Sequence, residues 1–141
     1  MITLFLPHHP TPWQAPRLGR GLAYNPKSKE KKSAIHMIDQ LYNGPVIKDF
    51  TKILFTFLFQ PPKTASKKQR QRMLDREIFP TRCDCTNLQK FYEDCLKKIV
   101  IEDDRYVQSV SSEKFYNEQD AVLIKIFTLQ ELQDASEKRN I

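Results

Sequence analysis

Residues 84 to 97 carry the side chains with the clearest chemical potential. In Asp84-Cys85-Thr86-Asn87-Leu88-Gln89-Lys90, a helix advancing about 100° per residue puts Asn87, Lys90, Asp94 and Lys97 in one polar stripe. Asp84 falls just before that helix, beside its positive end, where a carboxylate is held in the charged form that a metal ligand must have. Lys90, one turn in, is placed to neutralise a phosphate or the charge of a transition state. An ordinary amphipathic helix with solvent-facing Asn, Lys and Asp shows the same stripe. Further along, Glu102-Asp103-Asp104 sets three carboxylates side by side at a turn. Their mutual repulsion is relieved by a cation. Strand alternation there predicts that Asp103 and Asp104 point to opposite faces.

Basic groups come earlier in the chain. Ala15-Pro16-Arg17, Arg20 and Tyr24-Asn25-Pro26-Lys27 place cations and an aromatic on a proline-stiffened, glycine-containing loop. Such arginines grip backbone phosphates, and the aromatic can stack on a base. Lys67, Lys68 and Arg70, with Lys63, Arg72 and Arg76 around them, form a second basic run that is either a DNA arm or a solvated helix. Residues 1–82 hold 15 basic and 5 acidic residues, whereas residues 83–141 hold 8 basic and 12 acidic. A basic half suits a polyanion and an acidic half suits a divalent cation, so a phosphodiester substrate is one reading and ordinary solvated surface charge is the other. Cys83-x-Cys85 with Cys95, and His8, His9 or His36 as a fourth ligand, raises a zinc site. Cys95 falls in the apolar stripe, and C-x-C lacks the usual two-residue gap, so free thiols and no zinc are expected.

The elements needed to position these groups are legible from the apolar pattern. Ile2 to Leu6 read as a strand, Arg17 to Asn25 as a loop or hairpin, and Lys27 onward as a helix ended by Asn43-Gly44-Pro45. Val46 to Phe59 is the main strand, with Ile53, Phe55, Phe57 and Phe59 on one face and Leu54 and Leu58 on the other. A strand apolar on both sides belongs mid-sheet or at a dimer contact. Residues 61–80 are a basic insert, read as a short helix or mobile segment. Asp84 to Ile99 is the clearest helix, with Leu88, Phe91, Tyr92, Cys95, Leu96 and Ile99 facing the core and Thr86 expected as its cap. Strands follow at about Arg105–Phe115 and Ala121–Phe127, and a capping box at Thr128 to Glu131 opens a C-terminal helix or tail over 128–141. The 141 residues thus read as one α/β domain of α+β two-layer type, a mixed sheet packed with helices, with neither a βαβ repeat nor a glycine-rich phosphate loop. The longest apolar block, Ile53 to Phe59, is far short of a membrane span. MITLFLPHHP has no basic start of a signal peptide, and three unpaired cysteines suit a reducing compartment, so a cytoplasmic location is expected.

The order of these motifs resembles the RusA family of Holliday-junction resolvases. The family pattern runs from an Arg-Pro-Arg loop, through a tyrosine and proline before a helix, to Asp-x-Asp-Asn-Leu-x-Lys opening a helix, an aspartate further along, and Asp-Asp before a strand. The matching residues here are Ala15-Pro16-Arg17, Tyr24-Asn25-Pro26, Asp84 to Lys90, Asp94 and Asp103-Asp104. The resemblance implies a homodimer that binds branched DNA and cuts one strand of a four-way junction per subunit, using Mg²⁺, with Mn²⁺ as a substitute. It assigns Asp84 and Asp104 to the metal, with Asp103 as a substitute ligand. Lys90 is assigned to the scissile phosphate, and Thr86, Asn87 and Asp94 to support. Two positions depart from the pattern. Thr86 stands where the family has its second aspartate, and Ala15 where it has the first arginine of the loop. A binding-only relative, catalytically weakened or inactive, is the alternative; a protein-interaction module with an incidental basic face is a third.

Overall fold

A computed structural model describes residues 1–139. Its centre is a four-stranded mixed sheet formed by β1 (Ile2–Leu6), β4 (Thr51–Phe59), β5 (Val107–Tyr116) and β6 (Ala121–Thr128), in the order β1-β6-β4-β5. The strands β2 (Arg17–Gly19) and β3 (Leu22–Tyr24) form a separate hairpin. The helices are α1 (Ser28–Leu41), α2 (Lys67–Leu74), α3 (Cys85–Leu96) and α4 (Leu129–Arg139). This is the expected α+β mixture of one mixed sheet and four helices. β4 runs parallel to β5 and antiparallel to β6, so α2 and α3 lie in a crossover between two neighbouring parallel strands.

Alternation in β4 decides which face becomes the core. Ile53, Phe55, Phe57 and Phe59 are buried, as are Val122, Ile124 and Ile126 beside them on β6 and Leu4 and Leu6 on β1. Onto this face pack Ala34 and Ile38 of α1 and the stripe Leu88, Phe91, Tyr92, Cys95 and Leu96 of α3. The opposite face carries Leu54 and Leu58, both half-buried, and Phe5, which is 47% exposed. α4 lies over one end of it, the helix and the sheet residues Lys52, Leu54 and Phe127 lining a cavity of about 400 Å³. Its predicted capping box forms: Thr128 and Glu131 exchange backbone-to-side-chain hydrogen bonds at 3.4 Å. Residues 140–141 of the expected tail lie outside the described residues.

Two sequence-based strand starts shift. The strand expected from Val46 begins at Thr51; Ile47 instead makes an isolated bridge to Ile101. The strand expected from Arg105 begins at Val107, because the Asp103 carboxylate accepts from the Arg105 amide at 3.1 Å and caps a 3₁₀ turn over Asp104–Tyr106. That turn also removes the strand alternation expected at Asp103 and Asp104. The 61–80 segment holds a helix with a reciprocal Ser66–Gln69 capping box, and it docks on β5 through Arg76, whose guanidinium lies 4.0 Å from the Phe115 ring centroid.

One buried polar group is a local defect. Thr51 is 1% exposed, and its Oγ1 has no hydrogen-bond partner. Replacing an unpaired hydroxyl by a methyl group removes a desolvation cost. Thr51→Val is therefore expected to raise the unfolding free energy by about 1 kcal/mol, read as a higher urea midpoint at unchanged slope.

Candidate active site

α3 forms because an apolar stripe faces the sheet at helical spacing, and its first turn is held from two sides. The backbone amide of Trp13 donates to the carbonyl of Asn87 at 2.8 Å, tying the proline-rich segment to the helix start. Lys114 of β5 donates its ammonium to the Cys83 carbonyl. Asp84 is the N-cap residue, with extended backbone (φ −75°, ψ 136°), and its side chain makes no capping hydrogen bond. The cap expected at Thr86 therefore lies two residues earlier, and Thr86 is an exposed second residue of the helix. Asp84 itself is exposed, so its carboxylate is not used up by the fold.

Lys90 lies one turn further on, with its Nζ 3.5 Å from the centroid of the Trp13 ring. An ammonium on an indole face gains about 0.5–1 kcal/mol at an exposed site. Trp13 is the chain's one tryptophan. Lys90→Met is accordingly expected to change its emission spectrum; identical spectra would mean that the ammonium does not sit on the ring in solution.

Beside Cys83 opens a cleft of about 610 Å³, lined by His8, His9 and Pro10 of the N-terminal segment, Lys27 just before α1, Lys29 and Glu30 of α1, and Arg82. Lys27, read from the sequence as a DNA contact, thus lines the same cleft as Cys83, the residue before Asp84. Lys29 and Arg82 join it, although sequence reasoning did not single them out; their only signal was membership of the basic half. His8 is kept neutral to lower pH than usual, first by burial and then by His9, and its Nε2 is 3.0 Å from the Tyr92 hydroxyl. Arg17 opens β2, and Arg20 sits at the tip of the hairpin. Lys67 and Lys68 are exposed on α2, whereas Arg70 is paired with Glu118 at 3.0 Å.

The acidic groups do not gather around Asp84. Lys97 Nζ bridges Asp94 at 3.3 Å and Asp104 at 3.1 Å, at the far end of the helix. The hydrogen bond that Lys97 donates to Asp104, more than that to Asp94, raises the Lys97 pKa. Asp103 sits beside them, its pKa lowered chiefly by the Arg105 amide. Strand register gives the separation. Cys83 is held by Lys114, whereas Asp104 precedes Val107 at the start of the same strand. Asp84 thus caps one end of α3, and Asp104 is tied through Lys97 to the other. Among the described residues, no group of three or more His, Cys, Asp or Glu is placed to hold a metal ion. A divalent cation at this end of α3 would have the exposed Asp84 carboxylate as its protein ligand. As for the thiols, Cys83 and Cys85 flank Asp84, whereas Cys95 lies in the core, where burial pushes its pKa up to about 12.

Residues 7–127 match the family model described as Endodeoxyribonuclease RusA. The match spans Trp13, Lys27, Asp84, Lys90, Asp94 and Asp104, and so most of the chain. No curated protein matches the sequence.

Proposed function

Because the chain belongs to the RusA endodeoxyribonuclease family, we propose that it cuts branched DNA, the four-way junction above all, as a homodimer with one incision per subunit. The observation that carries this reading is the placing of Asp84, Asn87 and Lys90 at the start of α3, directly after Cys83, which lines the cleft with Lys27, Lys29 and Arg82. Cations on that surface hold backbone phosphates and give affinity that falls with salt. Lys90, propped on Trp13, neutralises the phosphate under attack. Asp84 supplies a free carboxylate where that phosphate would lie. Lys67 and Lys68 extend the basic surface, and Arg17 and Arg20 reach from the hairpin.

A magnesium ion, when bound, would supply the hydroxide and the counter-charge for hydrolysis, and Asp84 is the side chain at this end free to hold it. Mg²⁺ takes one or two carboxylates and fills the rest of its shell with water. A homodimer offers a second set of carboxylates, since two-fold symmetry can face Asp84 of one protomer with the acidic turn of its partner. The part of the sheet away from α4, with Phe5, Leu58 and Leu123, is the apolar face available for that pairing. No helix among the described residues is long and apolar enough to cross a membrane, and we read the protein as cytoplasmic.

The alternative, a junction-binding protein that does not cut, is favoured by Thr86 and by the Lys97 bridge across Asp94 and Asp104. Thr86→Asp separates the two. Asp in the first turn of a helix is stabilising by about 0.3–1 kcal/mol and adds a hard oxygen ligand. In a working nuclease it should lower the Mg²⁺ concentration needed for cutting; in a binding-only protein it should change stability alone. The branched-DNA reading itself is tested by gel shift of a labelled four-way junction and a linear duplex of the same sequence over a salt series. Tighter binding to the junction at every salt concentration supports the reading, and equal binding refutes it.

A further inference from the structure

The β2–β3 hairpin stands apart from the body of the protein. Every residue of β3 is exposed, as are Arg17 and Leu18 of β2. Leu18 is 82% exposed and Leu22 is 74% exposed, the two most exposed large apolar side chains described. Register assigns them to opposite faces: Leu18 pairs with Ala23, whereas Leu22 pairs with Gly19 next to the Arg17–Tyr24 pair. A hairpin that docked on its own domain would hide one face. Here both faces are apolar and both are bare.

The tip adds a second feature. Arg20 (φ 52°) and Gly21 (φ 77°) both have positive φ, the pattern of a two-residue type I′ turn. Asn or Gly is favoured at the first of these positions, and another residue costs on the order of 1 kcal/mol. An arginine is kept there nonetheless, at the point furthest from the fold. The Tyr24 ring lies across Gly19, where a Cβ would come within 2.9 Å of it. The first 29 residues contain no Asp or Glu, while Arg17, Arg20, Lys27 and Lys29 are all basic.

We propose that this hairpin is a wedge that enters the crossover of branched DNA. Leu18 on one face and Leu22 on the other press against the base pairs that end neighbouring arms, and Arg17 and Arg20 bind the flanking phosphates. Apolar side chains seated against unstacked base steps are an established way of recognising distorted DNA. A blade apolar on both sides fits an opening with base pairs on both sides, and an unbroken duplex offers none. The wedge therefore selects the branch point, whereas the basic cleft binds any DNA backbone. This inference rests on the branched-DNA reading above and assigns that selectivity to named residues.

The test is the double variant Leu18→Ser/Leu22→Ser beside the wild-type protein. Binding is measured to a four-way junction carrying 2-aminopurine at the crossover and to a linear duplex. Both leucines are solvent-exposed, so the thermal midpoint should stay at the wild-type value. Junction affinity is expected to fall about tenfold or more while duplex affinity stays within about twofold, and the 2-aminopurine fluorescence rise seen with wild type should be lost. Wild-type junction affinity and fluorescence in the double variant would overturn the wedge alone. So would an equal loss on junction and duplex, which would make the hairpin a general phosphate contact. A changed oligomeric state in gel filtration would assign the leucines to a contact between copies of the chain and overturn the DNA wedge. A wild-type protein that does not prefer the junction would remove the branched-DNA reading and the wedge with it.

Discussion

Asp84→Asn is expected to reduce junction cutting by about 100-fold or more, the equivalent of roughly 2.7 kcal/mol of lost transition-state stabilisation, while leaving junction affinity unchanged. Asn has nearly the same size and is as good an N-cap as Asp, so α3 should keep its start. What disappears is the charge of a carboxylate that the fold does not use: it is exposed and makes no capping bond. The cations proposed to hold phosphates, Lys27, Lys29, Arg82 and those of the hairpin, are not touched by the substitution. Single-turnover cutting and gel shift on one preparation check both halves. Retained cutting would make Asp84 a helix cap and nothing more.

The largest effect on stability is expected from Phe57→Ala. Phe57 is fully buried in β4, the strand flanked by both β5 and β6. Its ring lies 5.8 Å from that of Phe55 and 5.7 Å from that of Tyr92 on α3, so it joins the sheet to the helix that carries Asp84 and Lys90. Truncating a buried Phe costs about 3–5 kcal/mol, a large share of the roughly 5–15 kcal/mol that a domain has. Urea unfolding should show a much lower midpoint with an unchanged slope. A loss below about 1 kcal/mol would mean that the α3–sheet contact is looser than described.

What was legible in the sequence followed from periodicity. Alternation at Ile53, Phe55, Phe57 and Phe59 named the core face of β4, and the stripe from Leu88 to Leu96 named the buried side of α3. The turn residues Gly19 and Gly21 marked the hairpin. The placement of Asp104 was not legible. Asp84 and Asp104 are twenty positions apart in a familiar motif order, but their distance is set by how α3 runs back along β5, and no local pattern encodes that. The Lys97 bridge follows from the same placement. Thr86 looked like the cap because Thr-x-x-Gln is a capping sequence, yet Asp84, two positions earlier, took the role. Leu18 and Leu22 went unremarked because three-residue strands are too short to show a period, and their significance lies in what fails to cover them.

The most direct test of the central claim is strand-resolved cleavage of an end-labelled four-way junction, with and without Mg²⁺, beside a linear duplex. The expected result is paired, symmetric incision of the junction alone, only with divalent metal present, and lost in Asp84→Asn. A protein that binds the junction yet makes no incision at any Mg²⁺ or Mn²⁺ concentration would contradict the claim and establish the binding-only relative in its place.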